Sequence, residues 1–190
     1  MKKVIILAAG KPHYGSKPTI FFNQNKYFNN FDILKKVLSN YSNKITVITG
    51  YKHKYIRKKI STKIIYNKNW KHTKSASSLL LSDLGNCSEI VLVYSDIIFN
   101  PEVLNRLVKS KKQITIVTST KNIKFQKGKE YLNLKNNKIF AIGSKLKKKE
   151  VNSEFIGLIK IKQKALNKLK NLQNKKNNFS ELQISDLAGV

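Results

Sequence analysis

The stretch that decides the fold is the first one, residues 2–21, KKVIILAAGKPHYGSKPTIF. Val4 to Leu7 is a continuous apolar run, the pattern of a strand buried on both faces rather than one with a side to water. The strand runs directly into a loop of small and basic residues. Ala8, Ala9, Gly10, Gly15 and Ser16 let backbone amides approach a ligand closely, and Lys11 and Lys17 add positive charge. Such a loop suits phosphate.

Outward from this strand, further strand patterns fall at 44–49, 63–66, 89–94 and 113–118, with helical patterns between several of them. In FDILKKVLSNY, residues 31–41, Ile33, Leu34, Val37, Leu38 and Tyr41 share one helical face, and Asp32 is placed to cap or complement the N-terminus. TKSASSLLLSDLG, residues 73–85, reads as a helix stopping at Gly85. NPEVLNRLVKS begins with Asn100 as N-cap and Pro101 at the first helical position. Alternating strand and helix predicts an α/β fold, a Rossmann-like three-layer sandwich with a mostly parallel central sheet. Ligands then belong at strand carboxyl ends, which brings 8–17, 49–51 and 95–97 to one crevice. Beyond residue 118, EYLNLKNNKIFAIG reads as two strands around Asn136-Asn137, SEFIGLIKI as another, and QKALNKLKNLQ as a helix.

A length of 190 residues predicts one domain, 1–190. Neither an export signal nor a membrane helix is expected, because the longest apolar runs are too short. The single cysteine, Cys87, excludes an internal disulfide framework and fits a reducing cytoplasm. The formal charge of +28 taken alone suggests a polyanion partner. Its lysines are spread along the whole chain with many Asn and Ile, and the only arginines are Arg57 and Arg106. That is the signature of compositional bias on solvated faces, so a nucleic-acid partner is not expected, although the charge favours anionic substrates.

Asp96 is the first candidate for chemistry. In EIVLVYSDIIF it follows a five-residue apolar strand, at the sheet edge where the opening loop also arrives, and a carboxylate there can hold Mg²⁺ against a nucleotide phosphate. His13, His53 and His72 show no metal-type spacing, and His53 reads as a surface residue. Trp70 and Tyr94 read as packing residues, and the first strand lacks the G-x-G-x-x-G of a dinucleotide dehydrogenase.

Taken in order, VIILAAG, ITVITGY, IIYNKNW with TKSASSLLL, VLVYSDIIF and SEFIGLIKI resemble the nucleotidyltransferase domains that activate sugar phosphates, phosphocholine and aminoethylphosphonate. The resemblance covers roughly residues 3 to 160 and is nearest to the small cytidylyltransferases. It implies Mg²⁺-assisted attack of a substrate phosphate or phosphonate on the α-phosphorus of CTP, or another NTP, with release of pyrophosphate. By position it implies that Leu7, Ala8, Ala9 and Gly10 line the nucleotide. Thr73, Ser75 and Ser77 would sit near the base, Asp96 would bind the metal, and Glu154 would face the acceptor.

The chain also departs from that pattern. The family's loop carries a second nearby glycine, an Arg and a Pro-Lys pair; here the sequence is Lys11-Pro12-His13-Tyr14-Gly15-Ser16-Lys17-Pro18-Thr19, with Thr19 at the lysine position, and Lys17 or Lys11 is the candidate to replace it as a point charge on phosphate. The resemblance further implies a second acidic metal ligand late in the chain. Asp186, the only late aspartate, falls in a helical pattern with Leu182, Ile184 and Leu187 near Phe179. The expectation is therefore a chain without that carboxylate, lacking a C-terminal portion. A catalytically impaired nucleotide-binding member of the same fold, or a glycosyltransferase-like protein, is the alternative.

Overall fold

The computed structural model describes residues 1–12, 15–22, 27–85, 87–121, 123–126, 129–136, 138–143 and 146–175, the last four by backbone alone. The strand read first, β1 (Lys2–Ala8), lies inside an eight-stranded sheet. It pairs in parallel with β2 (Ile45–Thr49) on one side and β4 (Glu89–Tyr94) on the other, and β3 (Lys63–Tyr66) joins β2, also in parallel. Being central explains why β1 is apolar at consecutive positions rather than alternate ones. Ile5 and Leu7 enter one core and Val4, Ile6 and Ala8 the other. Val4, Ile5 and Ile6 have no exposed surface, each stabilising the fold by about 1.5–3 kcal/mol.

Helices cover both faces. α1 (Asn30–Ser39), α2 (His53–Arg57) and α4 (Pro101–Lys109) send Leu34, Leu38, Ile56, Leu104 and Leu107 into the Val4–Ile6 side. α3 (Ser75–Leu80) and α5 (Gln163–Lys175) send Ala76, Leu79, Leu166 and Leu169 into the Ile5–Leu7 side. This is the expected three-layer sandwich, but its sheet is mixed rather than the mostly parallel one expected. The second half is antiparallel: β8 (Ser153–Lys162) runs against β4, with β5 (Ile114–Ser119) on its far side and β6 (Tyr131–Lys135) meeting its start. β6 and β7 (Lys138–Gly143) form the expected hairpin, with Asn136 in the left-handed region at φ 51.

One local reading is sharpened and two are corrected. The α1 cap is Asn29, whose Oδ1 accepts from the Asp32 amide at 3.2 Å while the Asp32 carboxylate accepts from the Asn29 amide at 3.4 Å. Asp32 thus completes a capping box three residues in. α3 stops at Leu80 rather than Gly85, because the Ser82 hydroxyl donates to the Leu79 carbonyl at 2.6 Å and Leu84 turns into the core. α2 forms in a segment read as polar surface, since one apolar anchor, Ile56, leaves no periodic face to detect in sequence.

Lys160 has no exposed surface and donates from Nζ to the carbonyls of Val108 (3.0 Å) and Ser110. It closes the end of α4 onto β8, and burial holds its pKa below the usual lysine value. Among the described residues no helix is long and apolar enough to cross a membrane. The segment around Asp186 lies outside the described residues.

Candidate functional site

The parallel order β3-β2-β1-β4 places the carboxyl ends of β1, β2 and β4 side by side. A cleft of about 300 Å³ opens there. Its floor is the end of β1 and the following loop, Leu7, Ala8, Ala9, Gly10 and Lys11. One wall is Trp70, Thr73, Lys74 and Ser75; the other is Tyr94, Ser95 and Asp96, with Thr19 and Glu130 completing it.

Main-chain bonds hold the floor. The Ser95 amide donates to the Leu7 carbonyl at 3.0 Å, extending the β1–β4 ladder past its last strand residue, and the Tyr51 amide donates to the Ala9 carbonyl at 2.9 Å. Gly50 makes the approach possible, since a Cβ there would lie 2.6 Å from the Ala9 carbonyl oxygen and 2.5 Å from Trp70 Cβ. Buried Asn30 clamps the rim, its Nδ2 donating to the carbonyls of Thr19 and Ser95, each at 3.2 Å. Thr19 and Ser95 share a hydroxyl–hydroxyl bond of 2.9 Å. Asp96 is therefore exposed on a backbone fixed at its neighbour.

Asn67 organises the opposite wall. Its amide donates to the Thr49 carbonyl at 2.8 Å, and its Nδ2 donates to Thr73 Oγ1 (2.9 Å) and Ser78 Oγ (3.0 Å). Trp70 stands edge-on to Tyr51 at 5.7 Å between ring centroids. Tyr94, read from sequence as a packing residue, does more than pack. Its ring lies edge-on to Phe155 at 5.8 Å, and its hydroxyl reaches Glu130 Oε2 at 3.0 Å and Ser75 Oγ at 3.1 Å. A carboxylate only accepts, so the phenol proton goes to Glu130 and the Ser75 hydroxyl donates to the phenol oxygen. Burial, with the Glu130 charge beside it, pushes the Tyr94 pKa well above its ordinary value, so the phenol stays a donor.

Of the residues singled out in sequence, Leu7, Ala8, Ala9, Gly10, Lys11, Thr73, Ser75 and Asp96 face this one cleft. Lys17 and Ser77 are outside its lining. Glu154, which the resemblance put at the acceptor, is also outside; on β8 its carboxylate pairs with Lys129 Nζ at 2.6 Å. A second carboxylate, Glu130, is buried in the cleft wall. Sequence reading passed over Glu130, although it is the only acid between Glu102 and Glu150 and sits among lysines. His53 is likewise not a simple surface residue: it bonds Thr49 Oγ1 at 2.7 Å and stacks on Tyr66. Among the described residues no cluster of three His, Cys, Asp or Glu forms a metal cage.

Two solved structures share the architecture. The inositol-1-phosphate CTP transferase from T. maritima is similar over 98% of this chain and 79% of its own, with a TM-score of 0.77 and 16% sequence identity. A Bacillus anthracis protein assigned as a glucose-1-phosphate thymidylyltransferase, solved in complex with sucrose, is similar over 98% of this chain and 81% of its own (TM-score 0.78, 19% identity). The fold is that of the nucleotidyltransferases. Compared by sequence, the chain matches no family model and no curated protein.

Proposed function

We propose that this chain is a nucleotidyltransferase that moves CMP from CTP to a small phosphorylated or phosphonate acceptor and releases pyrophosphate. The supporting observation is one cleft, at the carboxyl ends of parallel strands, that joins a close-approach backbone floor, two lysines and two carboxylates. The fold supports the same reading, because a structural neighbour is by name a CTP transferase acting on inositol 1-phosphate.

In this reading the main chain of Leu7, Ala8, Ala9 and Gly10 meets the nucleoside, with Thr73 and Ser75 on the base side. Lys11 and Lys74 act as point charges on the triphosphate. An acceptor oxygen, already ionised on its phosphate or phosphonate at neutral pH, attacks the α-phosphorus. A new P–O bond forms there as the bond to the bridging oxygen of the β-phosphate breaks, and that electron pair leaves with pyrophosphate. No side-chain base is needed; positioning and charge neutralisation carry the step.

Asp96 is assigned to Mg²⁺. It is exposed and no cation pairs with it among the described residues. One carboxylate plus substrate phosphates is a common way of holding this ion, so the residue fits. When bound, the ion neutralises charge on the phosphates. Glu130, held by Tyr94, is assigned to a hydroxyl or amine on the acceptor. One buried cysteine and a nucleotide donor suit the cytoplasm.

Pyrophosphate release tests the proposal. The chain is assayed with each of the four NTPs and Mg²⁺ against phosphocholine, aminoethylphosphonate, inositol 1-phosphate and glucose 1-phosphate. Acceptor-dependent release with CTP is expected. Thermal stabilisation by CTP without release would assign a catalytically impaired member of the fold, and transfer from a nucleotide sugar without release would assign a glycosyltransferase.

A further inference from the structure

A second cavity, of about 490 Å³, lies between α2 and β3 and shares no lining residue with the cleft. His53, Arg57, Ser61, Thr62 and Tyr66 line it above the apolar Ile60, and none of its lining residues is acidic. We propose that this cavity is a second binding site, for a phosphate group, with Arg57 as its principal contact.

The choice of arginine is the first argument. This chain uses lysine for nearly every positive charge, with two arginines among 38 basic residues. Arg106 is accounted for by its ion pair with Glu102 at 2.8 Å, one helical turn away. Arg57 has no carboxylate partner among the described residues, and it is the one that lines the cavity. A guanidinium presents two parallel donors to a phosphate, which an ammonium cannot do.

The second argument is that the wall beside it is fixed. Thr49 Oγ1 donates to the Ile65 carbonyl at 3.3 Å, so in its 2.7 Å contact with His53 it must accept from Nδ1–H. That assigns the proton of the neutral imidazole to Nδ1 and leaves Nε2 as an acceptor, suited to a P–OH or a bridging water. The imidazole stacks on Tyr66 at 4.3 Å with an interplanar angle of 17°, which holds the ring flat against β3. Ser61 and Thr62 add hydroxyl donors. The cavity thus joins a guanidinium fork, two hydroxyls and an oriented imidazole, with no acid to repel an anion.

Histidine-resolved NMR of the full chain tests this. Sodium phosphate is titrated in at neutral pH, and sodium chloride in parallel at matched ionic strength. A saturable shift of the His53 ring signals, identified by their loss in His53→Gln, is expected with phosphate only, while exposed His72 stays put. Arg57→Lys, which keeps the charge but not the fork, is expected to weaken the response about tenfold, and Arg106→Lys to leave it unchanged. A chloride response equal to that of phosphate would reduce the effect to screening around a +28 chain and overturn the proposal. So would an unaltered response in Arg57→Lys. Arg57 is exposed, so the fold tolerates its replacement.

Discussion

Asp96 and Glu130 face one cleft from opposite kinds of support. Asp96 is exposed at the end of β4, and its place follows from the backbone: the adjacent Ser95 is bonded to Leu7 through its amide and to Asn30 through its carbonyl. Glu130 is buried in the loop before β6, and its carboxylate is fixed by a side chain of β4, the hydroxyl of Tyr94. Its own backbone carbonyl accepts from the Phe155 amide at 2.9 Å. An exposed group on a rigid backbone stays available to a ligand and contributes little to folding. A buried one contributes to both, because removing it leaves its partner unsatisfied. The two carboxylates should therefore separate in experiment, one acting on turnover alone and the other on turnover and stability together.

The largest effect is expected at Asp96. Asp96→Asn should lower kcat/KM for Mg²⁺-dependent pyrophosphate release at least about 100-fold, while its melting temperature stays that of the parent. Near-parental activity would remove Asp96 from the metal. The other side is best probed one residue further back. Gly157 has φ +83, and a Cβ there would stand 2.8–2.9 Å from three atoms of the Tyr94 side chain. Gly157→Ala should cost about 2–4 kcal/mol in urea unfolding by adding backbone strain to a forced shift of Tyr94. Unchanged stability would mean that Tyr94 is free to move and Glu130 is not fixed by it.

The same contrast explains what could be read from sequence. Asp96 and the loop from Ala8 follow from local patterns plus one rule about strand ends, whereas Thr73 and Ser75 are reached only through the family resemblance. The strands of the hairpin and the Asn100 cap were legible for the same local reason. Glu130 and Trp70 were not legible as cleft residues, because both reach it through loops held by tertiary contacts, Tyr94 in one case and Gly50 in the other. Glu154 stands outside the cleft lining, and the resemblance supplies a position but not the nearby Lys129 that takes its carboxylate. α2 stayed hidden because a five-residue helix with a single buried anchor shows no period.

A smaller effect distinguishes the two lysines of the opening loop. Lys11 lines the cleft, and Lys17 lies outside its lining. Lys11→Ala should raise KM for CTP about tenfold, equivalent to about 1.4 kcal/mol, and Lys17→Ala should change it less than about twofold. Equal losses at both positions would mean that the triphosphate runs along the loop rather than into the cleft, and the exposed side of the comparison would have to be redrawn.

The smallest effect belongs to a group outside the cleft and extends the rule that buried ionisable groups report on folding. Half-buried His53 has its pKa held below the usual histidine value of 6.5, first by desolvation and then by the nearby Arg57 charge. The unfolded chain therefore binds a proton at this position before the folded chain does. Between the unfolded and folded pKa values the unfolded state holds more protons, so stability is fully present above the unfolded value and falls as the pH drops towards the folded one. Urea unfolding at pH 7.0 and pH 5.5 should show the parent losing more stability across that interval than His53→Gln. Every other ionisable group is common to the two proteins, so the difference between them isolates position 53. Turnover at pH 7.0 should be the same in the two proteins. Parallel stability losses would mean that His53 is as well solvated in the folded chain as in the unfolded one, which contradicts its stacking on Tyr66 and its bond to Thr49.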